Sequence, residues 1–206
     1  MKNHIIFTTA LVAFTGFAGL SMKKQTSGYV AGDTVSDFRL KNVDGKNMSL
    51  ADVKDAKGFI VVFTCNHCPY AIKYEQRIMD LDKKYKPLGF PVIAINPNDS
   101  AKVPDDSYEN MQKRAREKGY SFPYLYDQTQ EVAKAYGALK TPHVYLLAKE
   151  KGKLVVKYVG AIDNNYEDAA KADRHFVAEA IAEIQAGKNV TITGTRAIGC
   201  SIKWKE

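Results

Sequence analysis

Residues 59–70 read FIVVFTCNHCPY, and this stretch decides the fold. The apolar run at 58–64 leads directly into two cysteines three positions apart, Cys65 and Cys68. A continuous run of this kind, rich in Ile and Val, predicts a central strand buried on both faces. Apolar residues then recur at helical spacing from Tyr70, which predicts a helix ending near Pro87. The two thiols are therefore expected where a buried strand gives way to a helix.

The flanking sequence predicts alternating strands and helices. The Asp44-Gly45 dipeptide predicts a tight hairpin within 36–50. Further elements are predicted at 90–96 (strand), 108–118 (helix), 122–127 (extended), 130–137 (helix), 143–160 (strand pair) and 167–187 (helix). A β-α-β crossover followed by an antiparallel pair and a closing helix predicts a mixed central sheet with helices on both faces.

The N-terminus has the pattern of a targeting segment. Lys2 precedes an uncharged apolar run at 5–20, and small residues follow at positions suited to cleavage. Residues 1–21 are therefore interpreted as a signal peptide, with an uncleaved anchor as the alternative because Lys23 and Lys24 follow the run. The prediction divides the rest into a domain at 28–187 and a tail at 188–206 that carries a third cysteine. Export would place the thiols in a compartment where disulfides persist.

Composition excludes several classes of protein. Hydrophobic residues make up 45% of the 206-residue chain, which is enough for one ordinary core. Three cysteines allow one intramolecular disulfide at a time, so this is not a disulfide-stapled framework. The formal charge of +7 is spread among acidic residues without an aromatic-basic motif. We therefore expect no nucleic acid partner, and membrane contact only through an uncleaved N-terminal segment.

The cysteine pair has the spacing of a redox centre. A helix beginning near Asn66 would place its positive end at the thiols and lower the pKa of Cys65 from about 8.5. His67 would stabilise the Cys65 anion further, which predicts a more oxidising pair than one with Gly-Pro between its cysteines. Cys65 is expected to be the exposed nucleophile and Cys68 the buried resolving thiol.

Two other interpretations of the cysteines stay open. A zinc site would need two more ligands, and His143 and Cys200 are the available donors. A structural disulfide between Cys65 and Cys68 would close a very small loop and stabilise little.

Thr141-Pro142 precedes a predicted strand and is the second candidate element. A cis bond there would bring the backbone of Thr141 beside the thiols, where a peptide substrate could pair with it as an added strand. The alternative is an ordinary trans turn.

The strand–CxxC–helix unit, the NPND loop, YGALKTPHVYLL and the final hairpin and helix together resemble the thioredoxin superfamily, in particular its exported peroxiredoxin-like redoxins. The resemblance covers about 30–187 and implies a three-layer α/β/α fold with a mixed sheet and an N-terminal β-hairpin. It implies an attacking role for Cys65, a resolving role for Cys68 and a cis-proline role for Pro142. The implied activity is thiol–disulfide exchange on protein substrates, reset by a redox partner protein, with no cofactor beyond the Cys65–Cys68 disulfide.

Departures from the family pattern leave the activity open. The strand before the cysteines lacks the buried acid that many thioredoxins carry, so the proton acceptor for Cys68 is not identified. Thr64 lies directly beside Cys65 and no proline precedes it, unlike the peroxidase pattern. A thiol peroxidase with antioxidant activity and a copper carrier using Cys65, Cys68 and a histidine remain the alternatives. Cys200 is interpreted either as a third exchanging thiol or as a free cysteine in a loosely packed tail.

Overall fold

The computed structural model describes residues 28–206, and the predicted signal peptide lies outside this part of the chain. The elements follow one another along the chain as β1 (Arg39–Asn42), β2 (Asn47–Ser49), β3 (Gly58–Phe63), α1 (Pro69–Tyr85), β4 (Val92–Asn96), α2 (Tyr108–Lys118), β5 (Tyr124–Tyr126), α3 (Glu131–Tyr136), β6 (Lys140–Thr141), β7 (His143–Glu150), β8 (Lys153–Gly160), α4 (Phe176–Gln185) and β9 (Cys200–Ser201).

Seven strands form one mixed sheet in the order β2-β1-β5-β4-β3-β7-β8. The strand β3 pairs in parallel with β4 and antiparallel with β7, and all six of its residues are buried. This confirms the prediction of a central strand covered on both faces. Its length and apolar composition place the cysteines that follow it at the carboxyl end of the sheet.

Two hydrophobic clusters cover the two faces of the sheet. One cluster joins alternate residues of β3, such as Ile60 and Val62, to the apolar faces of α1, α2 and α4. The other joins Phe59, Val61 and Phe63 to α3 and to segments near both ends of the described chain. The arrangement is the predicted three-layer α/β/α fold with a mixed sheet.

The N-terminal hairpin forms as predicted and extends the sheet edge. Arg39 pairs with Ser49 across β1 and β2, and β1 also pairs antiparallel with β5. Gly45 has φ +89°, a backbone conformation that glycine adopts without steric cost. The Asp-Gly signal was therefore sufficient to locate this turn.

Two local predictions were wrong. The helix α1 begins later than expected, with Cys68 rather than Asn66 as its N-cap. The closing helix α4 begins at Phe176, because a short 3₁₀ turn at Ala169–Lys171 takes up the first part of the predicted segment. Of the two alternatives for Cys200, the loosely packed tail does not fit the segment around Ile202, which is only 3% exposed. Among residues 28–206, no helix combines the length and the apolar character that crossing a bilayer requires.

Candidate redox site

The two cysteines occupy the junction between β3 and α1. Cys65 lies two residues after the end of the strand, and Cys68 is the N-cap of the helix, with Pro69 in the first turn. Proline suits this position because its missing N–H would have no partner within the helix. The unpaired N–H groups of the first helical turn therefore point toward Cys68.

Both thiols are buried. Cys65 is 4% exposed and Cys68 is 0% exposed, and they pack in one cluster with Ala71, Tyr70 and Cys200. The expectation that Cys65 is exposed was therefore wrong. Both cysteines are free thiols in the structure.

Thr141 contacts both sulfurs. Its hydroxyl Oγ1 lies 3.2 Å from Cys65 Sγ, and its carbonyl oxygen lies 3.2 Å from Cys68 Sγ. The Thr141–Pro142 peptide bond is cis, and Thr141 is fully buried. The loop before β7 thus brings Thr141 to the thiols, as the sequence analysis expected.

The two sulfurs shift each other's pKa in opposite directions. The hydrogen bond from Cys65 lowers the pKa of Cys68, with further donors at Cys200 and the backbone N–H of Ala71. The same hydrogen bond with Cys68, followed by burial and the charge of Asp106, raises the pKa of Cys65. Removal of the first proton from the pair is therefore favoured and removal of the second is opposed.

The hydrogen-bond geometry supports two positions for the remaining proton. With the proton on Cys65, its S–H donates to the Cys68 thiolate. With the proton on Cys68, its S–H donates to the Thr141 carbonyl, and the Thr141 hydroxyl can donate to a Cys65 thiolate. The prediction that the pKa of Cys65 is lowered therefore stays a prediction, because the second arrangement places the charge on Cys65.

A buried carboxylate that the sequence analysis missed holds the CNHC turn. Asp106 is 0% exposed, and its Oδ1 accepts the backbone N–H of Asn66 at 2.7 Å and that of His67 at 3.3 Å. Its Oδ2 accepts the His67 ring nitrogen Nδ1 at 2.5 Å and the Asn98 side-chain amide at 2.7 Å. Asp106 therefore fixes both the backbone of the turn and the direction of the imidazole.

His67 is held toward the carboxylate rather than left free to approach Cys65. Cys65, His67 and Asp106 nevertheless bring one sulfur, one nitrogen and one oxygen within 4.8 Å of one another, which is a spacing that a metal ion could use. Both carboxylate oxygens already accept hydrogen bonds from the turn and from Asn98. A metal would have to displace some of these donors, so the set fits a structural hydrogen-bond network better than a metal centre.

The other histidine weighed as a ligand, His143, begins β7 and packs its ring against Tyr145. Burial lowers the pKa of His143 to about 4. Its Nδ1 accepts the backbone N–H of Leu139 at 3.4 Å. This histidine is therefore neutral and belongs to the packing of the loop before β7.

Cys200 joins the site from the C-terminal tail. It pairs antiparallel with Thr141 in the two-stranded sheet formed by β6 and β9, and it packs against the cysteine cluster. Burial and the hydrogen bond with Cys68 raise the pKa of Cys200 to about 11. Three thiols thus meet around Thr141.

These features define a class of protein. The fold is a mixed α/β/α sheet in which a strand leads through a CxxC turn into a helix, and a Thr-Pro loop faces the cysteines. This combination is typical of a thioredoxin-like redox protein. The model of the AhpC/TSA family matches residues 31–163, so the chain belongs to the AhpC/TSA family. It is a redoxin of the thioredoxin superfamily and an oxidoreductase.

Three known proteins are similar to this chain. The crystal structure of an uncharacterized conserved protein from Geobacillus kaustophilus is 40% identical, with a TM-score of 0.78, and the match covers 85% of this chain and 92% of that one. A hypothetical protein from Sinorhizobium meliloti is 31% identical, also with a TM-score of 0.78, over 87% of this chain and 97% of that one. The thiol-disulfide oxidoreductase ResA of Bacillus thuringiensis is 26% identical over 166 residues, which are 77% of this chain and 90% of that protein.

Proposed function

We propose that this protein is a thiol–disulfide oxidoreductase that exchanges electrons between the Cys65–Cys68 pair and cysteines of other proteins. The observation that carries the proposal is the contact of two buried sulfurs with Thr141. We infer that the reduced pair shares one proton, because the hydrogen bond with Cys65 lowers the pKa of Cys68. One sulfur of such a pair is an anion near neutral pH, and a thiolate is the species that attacks a disulfide.

The reductive direction proceeds in two exchanges. The Cys65 thiolate attacks one sulfur of a substrate disulfide, so a mixed disulfide forms and the other substrate sulfur leaves as a thiolate that takes up a proton. Cys68 then attacks Cys65, forms the Cys65–Cys68 disulfide and releases the second substrate sulfur. The oxidative direction is the reverse. The roles of Cys65 as attacker and Cys68 as resolver remain predictions from the sequence.

The contacts of Thr141 support this order of events. Transfer of one proton from Cys65 to Cys68 would place the charge on Cys65, where the Thr141 hydroxyl can stabilise it, while the Thr141 carbonyl accepts the Cys68 S–H. Displacement of β9, which pairs with Thr141 in this structure, would give a substrate peptide a strand edge at the same residue. A single residue would then orient the substrate and set the protonation state of the pair.

The proposal includes no cofactor other than the redox-active disulfide, and it needs a second redox protein to restore the pair. We propose an exported or extracytoplasmic location on the basis of the apolar run at 5–20, either free after cleavage or anchored by that segment. The name of the ResA relative supports the activity.

The test compares the parent chain with Cys65→Ser and Cys68→Ser in the reduction of insulin disulfides. We expect activity in the parent and none in either variant, with a mixed disulfide to the substrate accumulating in Cys68→Ser because the resolving thiol is missing. Turnover of hydrogen peroxide by the parent without insulin reduction would contradict the proposal and favour a thiol peroxidase. A stable Cu(I) complex in place of exchange activity would favour a metal carrier.

A further inference from the structure

The C-terminal segment, residues 199–204, lies along the strand edge that a substrate peptide would use. Cys200 pairs antiparallel with Thr141, and the backbone N–H of Ile202 donates to the Leu139 carbonyl at 3.2 Å. Addition of a strand to an exposed edge is a common way for a protein to bind a peptide. Here the chain's own C-terminal segment makes that addition.

Close backbone approach requires a glycine at the start of the segment. A Cβ at Gly199 would lie 2.2 Å from the Thr141 carbonyl oxygen and 3.0 Å from the Pro142 nitrogen. Such distances are far below van der Waals contact, so only glycine fits this backbone position. Gly199 lets the segment reach the Thr-Pro loop directly.

The remainder of the segment is anchored by packing and by hydrogen bonds. Ile202 is 3% exposed and packs into the cluster that lies against β3. The Lys203 backbone N–H donates to Asn98 Oδ1 at 2.8 Å, and the Lys203 carbonyl accepts the Gln130 side-chain amide at 2.9 Å. The Lys205 N–H donates to Gln130 Oε1 at 2.7 Å. The docked position is therefore specific.

The alternation of side chains along β9 points Cys200 at the redox pair. Cys200 packs against the cluster formed by Cys65, Cys68 and Ala71, whereas Ser201 turns away and accepts a hydrogen bond from Lys140 Nζ at 3.1 Å. Cys200 pairs with Thr141, and Cys68 Sγ lies 3.2 Å from the carbonyl oxygen of the same Thr141. A hydrogen bond with Cys68 also helps to raise the pKa of Cys200. Cys68 is therefore the sulfur to which Cys200 is directed.

We propose that residues 199–204 are an internal strand that occupies the edge a substrate peptide would use, and that Cys200 exchanges with the oxidised pair to form a Cys68–Cys200 disulfide. This inference rests on the proposed function, since it requires a Cys65–Cys68 disulfide. The Cys200 thiolate attacks Cys68 Sγ, the Cys65–Cys68 bond breaks and the Cys68–Cys200 bond forms. Cys65 leaves as a thiolate and takes up the proton that Cys200 released, so the step needs no external oxidant or reductant.

The proposal makes the C-terminal segment a competitor of external substrates. A substrate peptide would have to displace β9 to reach Thr141, and the Cys68–Cys200 disulfide would hold β9 in place. The oxidised protein would therefore consist of two forms, one with a Cys65–Cys68 disulfide and one with Cys68–Cys200 and a free Cys65 thiol.

The test is disulfide mapping of the full chain. Protein is oxidised in glutathione redox buffer, free thiols are blocked in acid with N-ethylmaleimide, and peptides are identified by mass spectrometry without reduction. We expect both disulfides in the parent and Cys68–Cys200 as the main product in Cys65→Ser. The matched control adds Cys200→Ser and Ser201→Cys to Cys65→Ser, which moves the thiol to the opposite face of β9. In that control we expect the yield of the disulfide to Cys68 to fall at least tenfold.

Equal yields in Cys65→Ser and in the control would overturn the inference, because the thiol would then pair without docking of the strand. A Cys65–Cys68 disulfide alone in the parent, together with intact insulin reduction, would overturn the inference and leave the proposed function standing. The absence of any Cys65–Cys68 disulfide across the buffer range would overturn the proposed function itself.

Discussion

Replacement of Asp106 by asparagine should destabilise the fold and change the acidity of the thiol pair. Asp106 Oδ2 accepts hydrogen bonds from His67 Nδ1 and from the Asn98 amide. Asparagine keeps one acceptor oxygen for the turn backbone, but it turns a donating NH₂ group toward these two donors. Hydrogen bonds to charged groups contribute about 1.5–3 kcal/mol each, so two lost bonds, partly offset by relaxation, should cost about 3 kcal/mol.

Urea denaturation of the reduced protein at neutral pH measures this loss in the free energy of unfolding. Asp105→Asn is the matched control, because Asp105 lies beside Asp106 on a short 3₁₀ turn, Pro104–Asp106, and is exposed. We expect the control to unfold within about 0.5 kcal/mol of the parent. A second readout is the thiolate absorbance at 240 nm. The Asp106 charge helps to raise the pKa of Cys65, so the second ionisation should move to lower pH in Asp106→Asn alone. If Asp106→Asn were as stable as Asp105→Asn, the role of Asp106 in holding the CNHC turn would be refuted.

Two further predictions concern packing. Gly199→Ala should lift β9 from Thr141, because its Cβ would lie 2.2 Å from the carbonyl oxygen. The thiols should then react about tenfold faster with Ellman's reagent, which corresponds to about 1.4 kcal/mol of lost docking free energy for β9. An unchanged rate would show that β9 does not shield the thiols. Tyr136→Phe removes a buried hydroxyl that has no hydrogen-bond partner within residues 28–206, so thermal unfolding should show no loss of stability. Tyr158→Phe, which removes a donor to the Ala161 carbonyl, should lower the free energy of unfolding by about 1 kcal/mol. A larger loss of stability in Tyr136→Phe than in Tyr158→Phe would contradict the hydrogen bonding described for these two hydroxyls.

The sheet and the position of the cysteine pair could be predicted because their signals are local. The apolar run of β3, the Asp44-Gly45 turn and the helical spacing from Tyr70 each act over a few residues. They specify which faces are buried, and the sheet order follows from the crossover rules.

Asp106 could not be predicted, because its contacts depend on the tertiary fold. It lies 40 positions after Asn66, in a polar loop with several other acidic residues, and nothing in its local spacing separates it from Asp105. The strand β3 lacks the buried acid that many thioredoxins carry before their cysteines. In this structure the buried acid beside the cysteine turn is Asp106, which comes from the loop after β4.

The docking of β9 could not be predicted from the sequence either. A strand of two residues has no periodicity to detect, and its pairing with Thr141 joins positions 59 residues apart. The glycine before Cys200 was the available signal, since glycine in a strand marks close backbone approach. The start of α1 was misplaced by two residues for a related reason, because Pro69 fixes the first helical turn more strongly than Asn66 caps it.

The pH dependence of the reduction potential of the Cys65–Cys68 pair tests the central claim most directly. If the reduced pair holds one proton, two electrons are taken up with one proton, and the potential should fall by about 30 mV per pH unit. The range from about pH 6 to 7.5 lies below the ordinary thiol pKa of about 8.5, so two independent thiols would give about 59 mV per unit there. We predict the smaller slope both in the parent and in Cys200→Ser. A slope near 59 mV per unit would show two ordinary protonated thiols and contradict the shared proton.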